Sequence, residues 1–259
     1  MTARRLLLAF ALAGCSSGGG NTDSASPEPA DTTRAAAAPA DTIAALTAAA
    51  SSAIALPFRA RGNEPGWSLD VREREMTLLA DYGERRVVAV TPAPTTSGDT
   101  TRWATRAQSH EILVTVVDRL CHDGMSGFAF PRTVTVRLDG RELLGCGGET
   151  VEVLLGDAWI VRDIEGVAVQ EDSLALSFGA DGHVSVRAPC NGISASYELR
   201  REDLSFSDVS TTLMGCPPAL AQREQRLLAL LKEIRRFERR AGDSLILRTE
   251  GGRAITARR

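Results

Sequence analysis

The chain is nearly devoid of lysine: Lys232 is the only one among its 30 basic residues. Arginine carries the rest of the positive charge, which reads as the codon bias of a GC-rich genome and not as a binding code. The formal net charge is −3, so no global field gathers nucleic acid, and none is expected as a partner. Histidine is also scarce. The three present, His110, His122 and His183, are scattered. No Cys-x-x-Cys or His-x-x-x-His spacing accompanies them, so neither a metal nor a cofactor is expected. The apolar run Leu6 to Leu12 falls far short of the roughly 20 residues that cross a bilayer. Ser210-Thr211-Thr212 matches no nucleophile motif such as Gly-x-Ser-x-Gly. Glu64 has no visible partner carboxylate for glycosidase chemistry.

What the chain does have begins at its start. A basic opening, Arg4-Arg5, a short apolar stretch and small residues form a signal peptide over residues 1–14. The run Leu12-Ala13-Gly14-Cys15 resembles the bacterial lipobox. That resemblance implies a lipidated Cys15 as the first mature residue, and the membrane as a partner through this anchor. Ser16 after it implies passage to the outer membrane. The expected location is therefore the cell envelope, lipid-anchored on the periplasmic face of the outer membrane. Residues 15–56 hold the lipidated cysteine and a disordered linker: Ser16-Ser17-Gly18-Gly19-Gly20, then a Pro, Ala, Thr, Ser and Asp stretch with Pro27, Pro29 and Pro39. Such a composition cannot bury enough apolar surface to offset its ordering entropy. A coil of about 40 residues reaches roughly 35 Å. Asp41 to Ala55 is alanine-rich and reads as helical.

Setting Cys15 aside, four cysteines remain: Cys121, Cys146, Cys190 and Cys216. An even number in an oxidising compartment points to disulfides. Four cysteines allow three pairings; Cys121 with Cys146 and Cys190 with Cys216 is favoured, because each pair then falls inside one domain. The rival reading, a metal site, lacks the spacing.

Residues 57–150 read as a small antiparallel β-domain, a barrel or curled sheet. Trp67, Leu69 and Val71 alternate with Ser68, Asp70 and Arg72. Ile112, Val114 and Val116 alternate in another run. Asp139-Gly140 between alternating segments is a hairpin signal. A second unit, from about residue 154 to 259, alternates at Leu174, Leu176 and Phe178. It then changes period: Leu220, Leu227, Leu228, Leu231 and Ile234 have helical spacing over Pro218 to about Glu233, and Pro217-Pro218 suits the first turn. The fold class is thus mainly β, a barrel-like domain followed by an α+β unit with an antiparallel sheet packed on one helix.

The second unit resembles the META/HslJ-like domain of bacterial envelope proteins. The carrying residues are Leu155-Gly156-Asp157-Ala158-Trp159, Pro189-Cys190-Asn191-Gly192, Ser196-Tyr197, Ser210 through Pro217, and Glu224 before the leucine-rich helix. The resemblance implies a twisted antiparallel sheet wrapped on one helix and a loose link to stress tolerance, with no established reaction. The first unit resembles uncharacterised envelope domains found beside it. It does so through Gly62-Asn63-Glu64-Pro65-Gly66-Trp67, Cys121-His122-Asp123-Gly124-Met125-Ser126-Gly127 and Leu144-Gly145-Cys146-Gly147.

Cys121-His122-Asp123 places a nucleophile type beside a base type, but neighbours on a strand face opposite ways and a bridged cysteine cannot attack; no catalytic residue is assigned. Asn63, Glu64 and Trp67 form a candidate binding loop, since aromatic residues anchor interfaces; core burial of Trp67 beside Leu69 is the competing reading. Arg223, Arg226, Lys232, Arg235, Arg236, Arg239 and Arg240 form a basic stretch that suits an anionic lipid or polysaccharide, or a solvated face. The chain is expected to be a non-enzymatic envelope lipoprotein that binds or scaffolds an envelope protein or glycan. A lysozyme-inhibitor-like binder is the alternative by fold analogy. A hydrolase or thiol-redox enzyme would need a pocket with convergent titratable groups, and a free thiol if Cys121 or Cys190 were the nucleophile.

Overall fold

The computed structural model describes residues 54–107, 109–169, 174–201 and 203–259. Cys15, the signal segment and nearly all of the linker lie outside the described residues. Those described belong to one compact unit, built on two large antiparallel sheets with a core each.

The first sheet contains β1 (Phe58–Asn63), β2 (Gly66–Val71), β3 (Glu75–Ala80), β4 (Arg85–Val90), β5 (Thr95–Ser97), β6 (Thr100–Ala107) and β7 (His110–Val117). A two-stranded ribbon, β8 (Cys121–His122) and β9 (Ala129–Phe130), interrupts it before β10 (Arg132–Leu138) and β11 (Arg141–Gly147) complete it. The order is β4-β3-β2-β1-β11-β10-β7-β6-β5. Period-two patterning drives it: Trp67, Leu69 and Val71 are buried, while Ser68 and Arg72 face out. The sheet curls, so that Phe58 of β1 stacks on Trp103 of β6 with ring centroids 6.1 Å apart. The Thr105 hydroxyl reaches the Val90 carbonyl at 3.4 Å, yet no ladder joins β4 to β6. The Asp139-Gly140 turn joins β10 to β11 with positive φ at both residues, 52° and 85°. That pair of angles matches the twist of its strands.

The second sheet contains β12 (Trp159–Ile164), β13 (Val167–Ala168), β14 (Ala175–Phe178), β15 (His183–Arg187), β16 (Gly192–Arg200), β17 (Asp203–Thr211), β18 (Ile234–Arg240), β19 (Ser244–Thr249) and β20 (Ala254–Arg258). It closes into an eight-stranded barrel. β20 returns to pair with β12, from Ile160 with Arg258 to Ile164 with Ile255, across a bulge at Arg162, and β13 is a short appendage on β12. Closure removes the sheet edges that would otherwise template pairing. The seam between β17 and β18 is thin, with Asp203 opposite Arg236 as its single registered pair. The helix α1 (Pro218–Glu233) connects these two strands. It starts on Pro218, whose missing N–H costs nothing there, and inserts Leu227, Leu230 and Leu231 into the barrel core. Its next residue, Ile234, switches directly to extended backbone and opens β18.

Trp159 marks one end of that core. It is fully buried, and its indole N–H donates to the Leu154 carbonyl at 2.8 Å. Two guanidinium groups lie over its ring, Arg239 at 4.3 Å and Arg259 at 3.8 Å. Arg239 is only 8% exposed. Burial pushes its pKa down, while the Asp243 carboxylate opposes that shift. Its Nε finds no acceptor among the described residues; the electron-rich indole face takes that place.

The two sheets are knitted together by named contacts. Ala129 of the ribbon is buried in the core of the second sheet. His122 Nε2 lies 2.8 Å from the Arg239 carbonyl. Arg132 donates to Asp118 at 2.8 Å and to Glu152 at 2.7 Å.

Candidate functional site

Both favoured cysteine pairs form disulfides. Cys121 joins Cys146 and Cys190 joins Cys216, with Cα separations of 5.6 Å and 6.0 Å. The Cys121-His122-Asp123 triplet does not assemble into a nucleophile and base: the sulfur is bridged, His122 turns to Arg239, and Asp123 turns into its own loop.

Trp67 needs correction as a binding anchor. It is 4% exposed and packs in the core of the first sheet, with its indole N–H donating to the Leu144 carbonyl at 3.0 Å. The glycines around it serve that packing. A Cβ at Gly62 would lie 2.2 Å from the Trp67 Nε1 atom, and one at Gly66 would lie 2.6 Å from the Tyr82 ring. Glu64 remains exposed. Asn63 is drawn inward, because its amide donates to Asp123 Oδ2 at 3.0 Å and ties the β1–β2 loop to the loop after Cys121.

Asp123 is the centre of this arrangement. It is 7% exposed, and burial disfavours its charge. The Ser126 N–H and hydroxyl, the Asn63 amide and the Met125 N–H outweigh that penalty and hold its pKa at about 2. A pKa depressed in the folded state stabilises the protein fully above the ordinary value of 3.8, and that stabilisation fades as pH falls towards 2. The shift corresponds to about 2 kcal/mol. Asp123→Asn is expected to lower unfolding free energy by about that much at pH 7 and to flatten the acid limb between pH 4 and pH 2. Urea unfolding across pH measures both; an unchanged acid limb would contradict the assignment.

The second disulfide sits in a comparable network. Glu224 of α1 is buried and accepts from the Cys190 and Asn191 backbone N–H groups at 2.9 Å and 3.0 Å, and from the Asn191 side-chain amide at 2.7 Å. Burial opposes its ionisation, but these donors lower its pKa. Asn191 also accepts from Met214 N at 2.9 Å and from the Thr212 hydroxyl at 3.0 Å. One asparagine thus fastens both sides of the disulfide loop to the helix.

Pro189-Cys190-Asn191 and Glu224 of this clasp fall within one family match. Residues 152–259 match the META domain. No curated protein matches the chain. Among solved structures, an NMR structure of a protein from Burkholderia xenovorans is 25% identical, with a TM-score of 0.36, covering 42% of this chain and 84% of that one. A second NMR structure is 23% identical, with a TM-score of 0.36, covering 43% of this chain and 95% of that one.

Beside the META domain lies a cleft of about 710 Å³. Its floor is the polar face of β1 to β3, with Arg59, Arg61, Ser68, Asp70 and Thr77. Arg86 of β4, Phe128 and Phe130 of the ribbon segment, Glu149 and Thr150 add to its walls, and the META domain contributes Arg201. Arg72 binds Asp70 at 3.1 Å, and Arg59 approaches the same carboxylate at 3.8 Å. The Arg72 hydrogen bond is the main cause that holds the Asp70 pKa low, against its burial. Arg61 lies over the Phe130 ring at 5.0 Å. Arg61, Arg86 and Arg201 have no carboxylate in ion-pair contact among the described residues. Arg201 holds the β16–β17 turn with φ of 62°, a conformation that few residues other than glycine adopt.

The basic stretch near the C-terminus does not form one face. Arg239 is buried on Trp159, and Arg240 bonds Glu238 at 2.8 Å. Arg223 and Arg226 line one hollow, while Arg235 and Arg236 line another beside Glu198 and Glu250. The cleft escaped sequence reasoning because its residues are spread from position 59 to position 201. The available signal was Arg59 and Arg61 alternating with buried Phe58 and Ala60.

Proposed function

We propose that the protein is a non-enzymatic, lipid-anchored binding module of the cell envelope, and that its cleft is where it binds. The observation that carries the reading is a roomy hollow lined by two phenylalanines and by three arginines without a carboxylate partner among the described residues. Its volume lies in the range of about 300–1,000 Å³ found for ligand sites. Unpaired guanidinium groups facing open space are donors awaiting acceptors. Two disulfides suit an oxidising compartment, and Leu12-Ala13-Gly14-Cys15 supplies the anchor. Thiol chemistry draws no support, because Cys121 and Cys190 are both bridged.

The test is metabolic labelling with a radioactive fatty acid, followed by fractionation. The native chain is expected to carry label and sediment with membranes, and Cys15→Ala is expected to lose both properties. Covalent capture from intact envelopes with the anchor retained then reports the partner. An unacylated native chain with reduced thiols in the cytosol would overturn the reading.

A further inference from the structure

We infer that the cleft binds a linear acidic polysaccharide, one whose charges are separated by hydroxyl-bearing sugar rings. This rests on the reading of the protein as an envelope binding module and names its ligand class. The charge balance points there. Five guanidinium groups and three carboxylates line the cleft. Asp70 is engaged by Arg72 and Arg59, which leaves Arg61, Arg86 and Arg201 against Glu75 and Glu149. A densely charged polymer such as polyphosphate or nucleic acid meets repulsion from those two acids. A sparsely charged chain uses both signs: carboxylates or phosphates bond guanidinium groups bidentately, while its hydroxyls donate to Glu75 and Glu149 and bond Ser68, Thr77 and Thr150.

Shape adds a second argument. Phe128 and Arg201 also line an adjoining hollow of about 260 Å³, with His122 and Arg240 on its walls. The two hollows share this saddle, so the surface suits an extended chain that passes over it better than one compact molecule. Phe128 is half-buried and offers an apolar surface to a sugar ring at the crossing. A flat bilayer does not enter a concave trough of this kind.

The experiment uses the full-length protein in detergent and fluorescent probes: an oligouronate, a neutral dextran oligomer of equal length, polyphosphate, and vesicles containing anionic phosphatidylglycerol. The oligouronate is expected to bind and to weaken as salt rises, and the dextran is expected not to bind. The combined variant Arg61→Gln, Arg86→Gln, Arg201→Gln is expected to lose binding at least about tenfold. A control of equal charge change away from the cleft, Arg102→Gln, Arg106→Gln, Arg137→Gln, is expected to keep it. Thermal melting checks that both variants fold. The inference is overturned by absent oligouronate binding, by equal binding of dextran, by equal loss in the control, or by tighter binding of polyphosphate or vesicles. Acylation and envelope capture that persist beside a failed oligouronate titration would remove the ligand class and leave the envelope reading standing. Lost acylation with intact titration would do the reverse.

Discussion

Trp159→Ala is expected to lower the unfolding free energy by about 4 kcal/mol, near the middle of the range for truncating a buried tryptophan. The ring is completely buried, so its removal leaves a void as well as lost transfer energy. It also removes the surface on which Arg239 and Arg259 rest. Arg239 then keeps its burial and loses its π partner, while its Asp243 contact at 3.4 Å is long for a hydrogen bond. For a unit of this size, about 4 kcal/mol moves the melting temperature by roughly 8–16 °C. Trp159→Phe separates the contributions. It keeps most of the packing and loses the indole N–H, but Leu154 O still accepts from Arg259 at 2.8 Å, so the expected loss is about 1 kcal/mol. Calorimetry of both variants measures the difference. Equal, small losses would show that the ring does not hold this end of the barrel.

The Cys190–Cys216 bridge is expected to contribute about 3.5 kcal/mol, from the entropy of closing a loop of about 26 residues in the unfolded chain. The Cys121–Cys146 bridge closes a loop of almost the same size, so chain entropy alone predicts equal effects. The structure predicts inequality. Cys216 Sγ accepts from the Asn191 amide at 3.0 Å, and the same asparagine holds Glu224 of α1. Opening this bridge therefore loosens the clasp on the helix. The pair Cys190→Ala, Cys216→Ala is expected to lose more stability than Cys121→Ala, Cys146→Ala. Urea midpoints of the two double variants, with unchanged slopes, decide the order. The first pair losing less would mean that the clasp stands without its bridge.

Much of the fold is readable from local chemistry. The alternation at Trp67, Leu69 and Val71 sets one strand, Asp139-Gly140 sets a hairpin, and Pro217-Pro218 with leucines at helical spacing sets α1. These signals act between near neighbours. The return of β20 to β12 is not readable in this way, because no local period records which distant strand completes a barrel. The basic stretch is divided for a related reason. Arg239 and Arg240 are adjacent in sequence, yet on β18 one points into the barrel, where an indole receives it, and the other points out. Asp123 and Asn63 lie 60 positions apart, so the buried carboxylate at the heart of the Cys121 loop leaves no trace in spacing. The cleft is less readable still: its five arginines come from four separate strands or turns and meet only after both sheets have formed.

Pairing Ile160 with Arg258 has a consequence for timing. Every strand of the first sheet precedes β12 in the chain. The barrel is different. A chain without residues 254–259 has β12 and β19 but lacks the strand between them, so both stand as bare margins. Contacts between remote positions form slowly in any case. The second sheet therefore stays open along β12 and β19 until its last strand arrives, whereas the first sheet needs nothing from that end of the chain.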